Sequence, residues 1–403
     1  MMPTMKKRLF SLFLSILAIG TVQAQHLRPD AFPPATDTLS AKVVSMATTL
    51  DEMALWDRYP TYEVYIAMMQ RFAIQYPNLC HLDTIGTSVQ NRLILSLVIT
   101  AAGDDSARPE FFYSSTMHGD EVTGFYLMLR LCDTLLSSYG VSPEITGLLN
   151  RTRIYINPLS NPDGTYHSGN HTVVGSMRYN ANYVDLNRNY PNPFGSEPLD
   201  PLQVENEAMI SYVQNHHFLL SANLHGGSEV MNYPWDSYTS DELLNEHADW
   251  WKEVSKRFVD TCRLYDNQQF RNITDVGYIN GGDWYVITNG RQDYMNYYCG
   301  VRELTMELSS IKTLSTDRLQ HYWNCQSHAL INYIKEIFAI ADTEPTESIN
   351  PFATVQYRVY PNPTRGPVIV ASPFRVYHYD LSDRPAGVYV IPVEGCPVKV
   401  VKQ

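Results

Sequence analysis

Apolar positions in this chain follow two rhythms. Residues 109–116, PEFFYSST, form a short, aromatic-rich apolar run bounded by Pro109, which predicts a buried strand. Residues 122–139, VTGFYLMLRLCDTLLSSY, carry apolar side chains at helical spacing. The strand rhythm returns in CHLDTIGTS (80–88), LILSLVIT (93–100), FLLSANLH (218–225) and ELTMEL (303–308). The helical rhythm returns over 61–76 and over 328–340, where an apolar stripe closes the main body of the chain. Interleaved strands and helices of this kind predict an α/β fold.

The ends differ from the middle. Lys6, Lys7 and Arg8 precede the apolar stretch LFSLFLSILAIG (9–20), and Val22-Gln23-Ala24 follows. That is the three-part pattern of a secretory signal over residues 1–24, with cleavage expected after Ala24. The apolar stretch is too short for a comfortable transmembrane span, and no other segment is long and apolar enough. The mature chain is therefore expected to be exported. Residues 25–58 read as a leader or surface segment. Residues 342–356 are polar and linker-like. Beyond them, RVYPNP, PVIVAS, FRVYHYDLS, AGVYVIPV and VKVVKQ read as short strands broken by Pro, Gly and Asp. They predict a small β-sandwich-like domain over 357–403.

The net charge of −12 argues against nucleic acid as a partner, yet leaves room for a local cationic site. The six cysteines form no CxxC pair, and export permits disulfides that the sequence does not assign. Cys132 falls on the apolar face of the helix over 122–139 and reads as a packed thiol.

Four stretches carry the chemistry. His118-Gly-Asp-Glu121 falls at a strand-to-helix turn, and a separation of three sets both side chains on one side of the first helical turn. His225 ends a strand and precedes Gly226-Gly227, which let the backbone turn sharply. Two imidazoles and one carboxylate make a zinc donor set with a fourth position left for water. Alone, each is also what a helix start or a structural histidine looks like. Arg178 and Asp185-Leu-Asn187-Arg188 add fixed positive charge, and Asp185 is either a partner for His118 or a turn residue. Glu307 lies between Met306 and Leu308, where a carboxylate needs a partner or a chemical task.

HGDE, NPDG (161–164), RYNANYVDLNRNYP (178–191), SANLHGG (221–227), DWY (283–285), GRQDYMNY (290–297) and TMELS (305–309) resemble the metallocarboxypeptidase family, most closely its regulatory branch. The resemblance implies a mixed, eight-stranded twisted sheet flanked by helices, and a catalytic domain over 59–341. It also implies one zinc ion held by His118, Glu121 and His225. It implies that Arg178 stabilises the oxyanion, that Asn187, Arg188 and Tyr285 grip the substrate's terminal carboxylate, and that Glu307 is the general base. Peptide or protein C-termini would be the substrates.

Asp236 lies 11 residues after His225 and Gln292 lies 15 before Glu307. The matching positions of the regulatory branch line the pocket for the terminal side chain. An acid with a Gln there suits C-terminal Lys or Arg, because a buried carboxylate calls for a cation. Trp235, Asp283 and Arg302 depart from that branch's usual surroundings. Two other readings keep the same scaffold: a murein stem-peptide carboxypeptidase or amidase, and a non-catalytic binding module. The C-terminal segment resembles a type IX secretion sorting domain through Tyr360-Pro-Asn-Pro363, Pro385-Ala-Gly-Val-Tyr389 and Lys399-Val-Val-Lys402. Secretion machinery is the partner this implies.

Overall fold

The computed structural model describes residues 43–103, 107–195 and 197–342, and beyond them 358–360, 367–371, 376–393 and 396–402. The expected signal segment, the start of the leader and nearly all of the linker lie outside the described residues.

One eight-stranded sheet organises the body. Its strands in chain order are β1 (Cys80–Thr87), β2 (Leu93–Ile99), β3 (Glu110–Ser115), β4 (Arg153–Asn157), β5 (Phe218–His225), β6 (Ser228–Tyr233), β7 (Tyr278–Asn280) and β8 (Arg302–Ser309). Their spatial order is β1-β2-β4-β3-β5-β8-β6-β7. The centre, from β4 through β3 and β5 to β8, is parallel, whereas β1, β2 and β6 join it antiparallel. The helices that matter here are α1 (Tyr62–Gln75), α2 (Thr123–Ser138), α3 (Pro143–Arg151), α4 (Val204–Gln214), α5 (Ala248–Arg263), α6 (Arg291–Tyr298) and α7 (Leu319–Lys335).

Strand β3 is buried at every position, because helices cover both faces of the parallel centre. Successive side chains point to opposite faces. Phe111 and Tyr113 join the larger core, shared with α2 and α7, and Phe112 joins a second core with Met209, Tyr212 and Phe218. Burying each such ring contributes roughly 1.5–3 kcal/mol. Local signals set the helix starts: Thr61 accepts the N–H of Val64, and Ser142 accepts that of Ile145 ahead of Pro143. Cys132 is fully buried on α2.

One expectation shifts. The closing helix starts at Leu319 rather than 328, and a short helix, Ile337–Ala341, follows it. Its first half buries Tyr322, Trp323 and Gln326, and the Gln326 amide donates to Leu308 O at 2.6 Å. Polar and aromatic burial of this kind does not register as an apolar stripe. Residues 43–58, part of the segment read as a leader or surface segment, pack onto the body. Met46–Ala47 pairs in parallel with Tyr59–Pro60, Met53 is buried, and Val43 O accepts the N–H of Thr316.

Beyond the linker, Arg358–Tyr360, Pro367–Ala371 and Val376–Asp380 form an antiparallel three-stranded sheet, and Gly387–Val393 pairs with Cys396–Lys402. The Lys402 amino group donates to the carbonyls of Leu381, Ser382 and Arg384. Among the described residues, no helix is long and apolar enough to cross a membrane.

Candidate active site

Ligand sites in open α/β sheets lie at the carboxyl ends of parallel strands. His118 and Glu121 follow β3, His225 ends β5, and Glu307 sits on β8 directly beside His225 in the parallel register. All four are buried.

The donor atoms converge. His118 Nδ1 and Glu121 Oε2 lie 3.0 Å apart, His225 Nδ1 and Glu121 Oε2 2.8 Å, and the two Nδ1 atoms 3.0 Å. Gly226 N–H also donates to Glu121 Oε2, at 3.2 Å. Burial and the nearby His118 charge push His225 down to about 4, so it stays neutral. Burial and Arg178 work against a charge on His118, but Glu121 and Asp185 outweigh them and raise it. Burial likewise works against ionised Glu121, yet the His118 charge and the hydrogen bonds of both imidazoles hold it well below the usual carboxylate range. Two facing ring nitrogens and a carboxylate oxygen cannot all be satisfied by one proton, whereas a divalent cation among them satisfies all three. The donor set fits zinc on this ground.

The flanking groups are ordered by the same few contacts. His118 Nε2 lies 3.1 Å from Asp185 Oδ1. The other oxygen of Asp185 accepts Arg178 Nε at 3.0 Å, and Asp185 Oδ1 also accepts the N–H of Asn187 at 2.9 Å. Arg178 Nη1 reaches Glu121 Oε1 at 3.4 Å. Asn187 Oδ1 accepts the N–H of Arg291 at 2.9 Å, and half-buried Arg188 donates to Asn187 O at 2.8 Å. Half-buried Tyr285 follows a short turn, Gly281–Trp284. Its phenol is pushed up by burial and by Glu307, while Arg188 and Arg178 pull it back.

Glu307 Oε2 is buried without a hydrogen-bond partner. Burial and then the Glu121 charge push this carboxyl well above its ordinary range, with Arg178 and Lys312 opposing. Asp236 is buried and accepts Gln292 Nε2 at 2.7 Å. Burial, followed by the charge of Asp293, pushes Asp236 well up.

Of the ten candidate residues, His118, Glu121, His225 and Glu307 stand at or near the carboxyl ends of β3, β5 and β8, Arg178 joins them through Glu121 and Asp185, and Asp236 follows β6, which runs antiparallel to β8, with Gln292 against it. The departures find local explanations. Arg302 lies over the Trp250 ring at 4.9 Å, Asp283 accepts the N–H and hydroxyl of Ser240, and Trp235 packs edge-on against Phe194. A groove of about 480 Å³ lined by Val254, Phe258 and Tyr333 touches none of the ten.

Three contributors had no role assigned from the sequence. Asp293 accepts the backbone N–H groups of Asp236 and Ser237 at 2.8 and 2.9 Å, although it stands next to Gln292. Lys312 Nζ lies 3.6 Å from Glu121 Oε1, and no motif marks it. Asn161 of NPDG donates to Met117 O and Arg178 O and accepts the N–H of Gly164. It thereby ties the HGDE turn to the Arg178 segment. Gly119 is required there, since a Cβ would lie 2.3 Å from the carbonyl carbon of Gly164.

Sheet and site together define an α/β scaffold of the metallopeptidase class. The chain belongs to the zinc carboxypeptidase family, whose model matches residues 65–329. It is 34% identical over 297 residues to human carboxypeptidase D, covering 69% of this chain and 21% of that protein. It is 36% identical over 309 residues to mouse carboxypeptidase M, covering 70% of this chain and 67% of that one. The chain thus spans about a fifth of the length of the carboxypeptidase D relatives. In fold it is similar to carboxypeptidase A from Helicoverpa armigera, with a TM-score of 0.60, 19% identity, and coverage of 72% of this chain and 76% of that one.

Proposed function

We propose that this protein is an exported, zinc-dependent carboxypeptidase that releases Lys or Arg from peptide C-termini. The observation that carries the reading is Glu307 Oε2, buried and unpartnered beside the converging donors of His118, Glu121 and His225. An unsatisfied buried carboxylate is costly to keep unless it has a chemical task.

His118, Glu121 and His225 would hold one zinc ion, and zinc when bound lowers the pKa of a water and polarises the scissile carbonyl. Asp185 orients His118 from behind. Glu307 accepts a proton from the attacking water and delivers it to the leaving amine. Arg178, already fixed by Asp185, supplies positive charge where the carbonyl oxygen becomes negative. Arg188 and Asn187, with Tyr285 closing over them, bind the terminal carboxylate. That demand for a free carboxylate makes the reaction exopeptidic. Asp236 and Gln292 form the floor that takes the cationic side chain. The signal segment and the C-terminal strands supply the route out of the cell, the latter as a sorting module.

The test is release of the terminal residue from matched blocked dipeptides ending in Arg, Lys, Phe or Glu, with and without a chelator. Cleavage confined to Arg and Lys and abolished by chelation is the expected result. Chelator-sensitive cleavage of Phe substrates, or of wall stem peptides alone, overturns the basic specificity. Absence of turnover with metal bound overturns the enzymatic reading.

A further inference from the structure

A second donor cluster lies away from this site. α5 ends at Arg263, and the chain turns through Asp266 against α7. There Asp266, His321 and Cys325 bring one ligand atom each within 4.8 Å of the others. His321 and Cys325 stand four residues apart, one turn along the same face of α7. Asp266 Oδ1 is committed to the N–H of Gln268 at 3.0 Å, which aims Oδ2 at His321 Nε2, 3.1 Å away. Cys325 Sγ lies 3.5 Å from the same Nε2.

The shared nitrogen decides between readings. In a nucleophilic relay a histidine meets the thiol with one ring nitrogen and the carboxylate with the other. Here both neighbours face Nε2. A hydrogen on that nitrogen serves the carboxylate and leaves the sulfur at most a weak acceptor's share of it. A cation among the three would use the carboxylate, the imidazole and the sulfur together. The spacing agrees: tetrahedral zinc with bonds of about 2.3 Å to sulfur and about 2.05 Å to nitrogen separates those two ligands by about 3.5 Å. Cys325 forms no disulfide and is buried, whereas Asp266 and His321 are partly open to solvent, which leaves a face for a fourth ligand.

We propose that Asp266, His321 and Cys325 form a second, structural metal site that takes zinc or a similar borderline-soft divalent ion and clips the end of α5 to α7. The mixture of imidazole, thiolate and carboxylate suits zinc, cobalt or nickel better than magnesium or calcium. An ion there cross-links segments 55 residues apart in sequence, and stabilises the fold as any native-state ligand does.

The test loads the full-length protein with Co(II) and reads ion content together with the sulfur-to-cobalt charge-transfer band. The first site offers no sulfur, so the band reports Cys325. Expected are about two ions per chain with the band present. Cys325→Ser and, independently, His321→Gln each reduce this to about one ion and remove the band, with unchanged circular dichroism. His118→Gln keeps the band while losing the other ion, which separates this site from the proposed catalytic one. About one ion per wild-type chain without the band, or a band that survives Cys325→Ser, overturns the proposal.

Discussion

Gln292 donates to Asp236 Oδ1 at 2.7 Å while its own carbonyl accepts the N–H of Thr305 at 2.7 Å. The second contact fixes which way the amide faces, so the carboxylate of Asp236 receives the N–H end. Thr305 lies two residues before Glu307 on β8, so one side chain links the proposed specificity floor to the strand carrying the proposed base. Asp236→Asn keeps the shape and removes the charge. It should lower kcat/KM for Arg-ending substrates roughly 100- to 1,000-fold, the effect of breaking a buried pair. Phe-ending substrates should lose little. Equal losses for both would remove Asp236 from the pocket.

The same carboxylate predicts a pH signature. Burial and Asp293 raise Asp236, and burial lifts Asp293 to about 6. The two titrate as a pair. A raised carboxyl picks up its proton earlier as pH falls, and the protonated form cannot balance a Lys or Arg side chain. The ratio of kcat/KM for Arg-ending over Phe-ending substrates should therefore drop with falling pH, by up to about tenfold per unit below the pair's apparent pKa. Taking the ratio cancels pH effects on the chemical step. A flat ratio between about pH 5 and pH 8 contradicts the assignment.

Stability without substrate should run the opposite way. A carboxyl whose folded pKa is raised above its unfolded value favours the fold at low pH and loses that advantage as pH rises through the raised value. Asp236→Asn is free of this loss. Its thermal midpoint should match the parent near about pH 4 and exceed it at about pH 8. A variant less stable at both values would mean that the carboxylate serves the fold instead.

Much of this centre was legible because its residues sit at strand ends. A run such as FLLSANLH states both the strand and where it stops, so His225 could be placed from the pattern alone. HGDE announces itself in the same way, after the apolar run of β3. What stayed hidden were residues whose importance is tertiary. Lys312 reaches Glu121 from a loop after β8, and Asp293 acts through backbone N–H groups 56 or more residues away. Neither has a local pattern, since any surface lysine or helix-start aspartate reads alike. The early start of α7 was missed for the related reason that Gln326 is buried through a backbone carbonyl of β8.

Glu307→Gln tests the proposed base without disturbing its surroundings. The amide is isosteric, and the buried Oε2 position has no protein partner to lose. kcat should fall roughly 100- to 10,000-fold, while metal content and the thermal midpoint stay at or above those of the parent. Asp185→Asn should act differently, weakening metal affinity roughly 10- to 100-fold through the orientation of His118. A Glu307→Gln enzyme of full activity would move the base elsewhere.

NPDG gives the last prediction, because its contribution is to position rather than to react. Asn161 Nδ2 donates to Met117 O at 3.1 Å and Arg178 O at 3.3 Å, and its Oδ1 accepts Gly164 N–H at 2.9 Å. The first two carbonyls belong to the residue before His118 and to Arg178 itself. Asn161→Ala removes the partner of Met117 O and of the Gly164 N–H, while Arg178 O keeps the Gly119 N–H at 3.1 Å, and each buried group left unpaired costs about 1–3 kcal/mol. Lower stability alone would be expected of any buried asparagine. A positioning role adds that kcat falls by about two orders of magnitude while KM changes little, since Arg188 is held by Asn187 and not by this loop. Gly119→Ala should reproduce the split from the other side of the contact, because its Cβ would strike Gly164 at 2.3 Å and push the HGDE turn outward. Should both variants lose stability yet keep the parent kcat, the loop supports the fold and has no part in aligning His118 with Arg178.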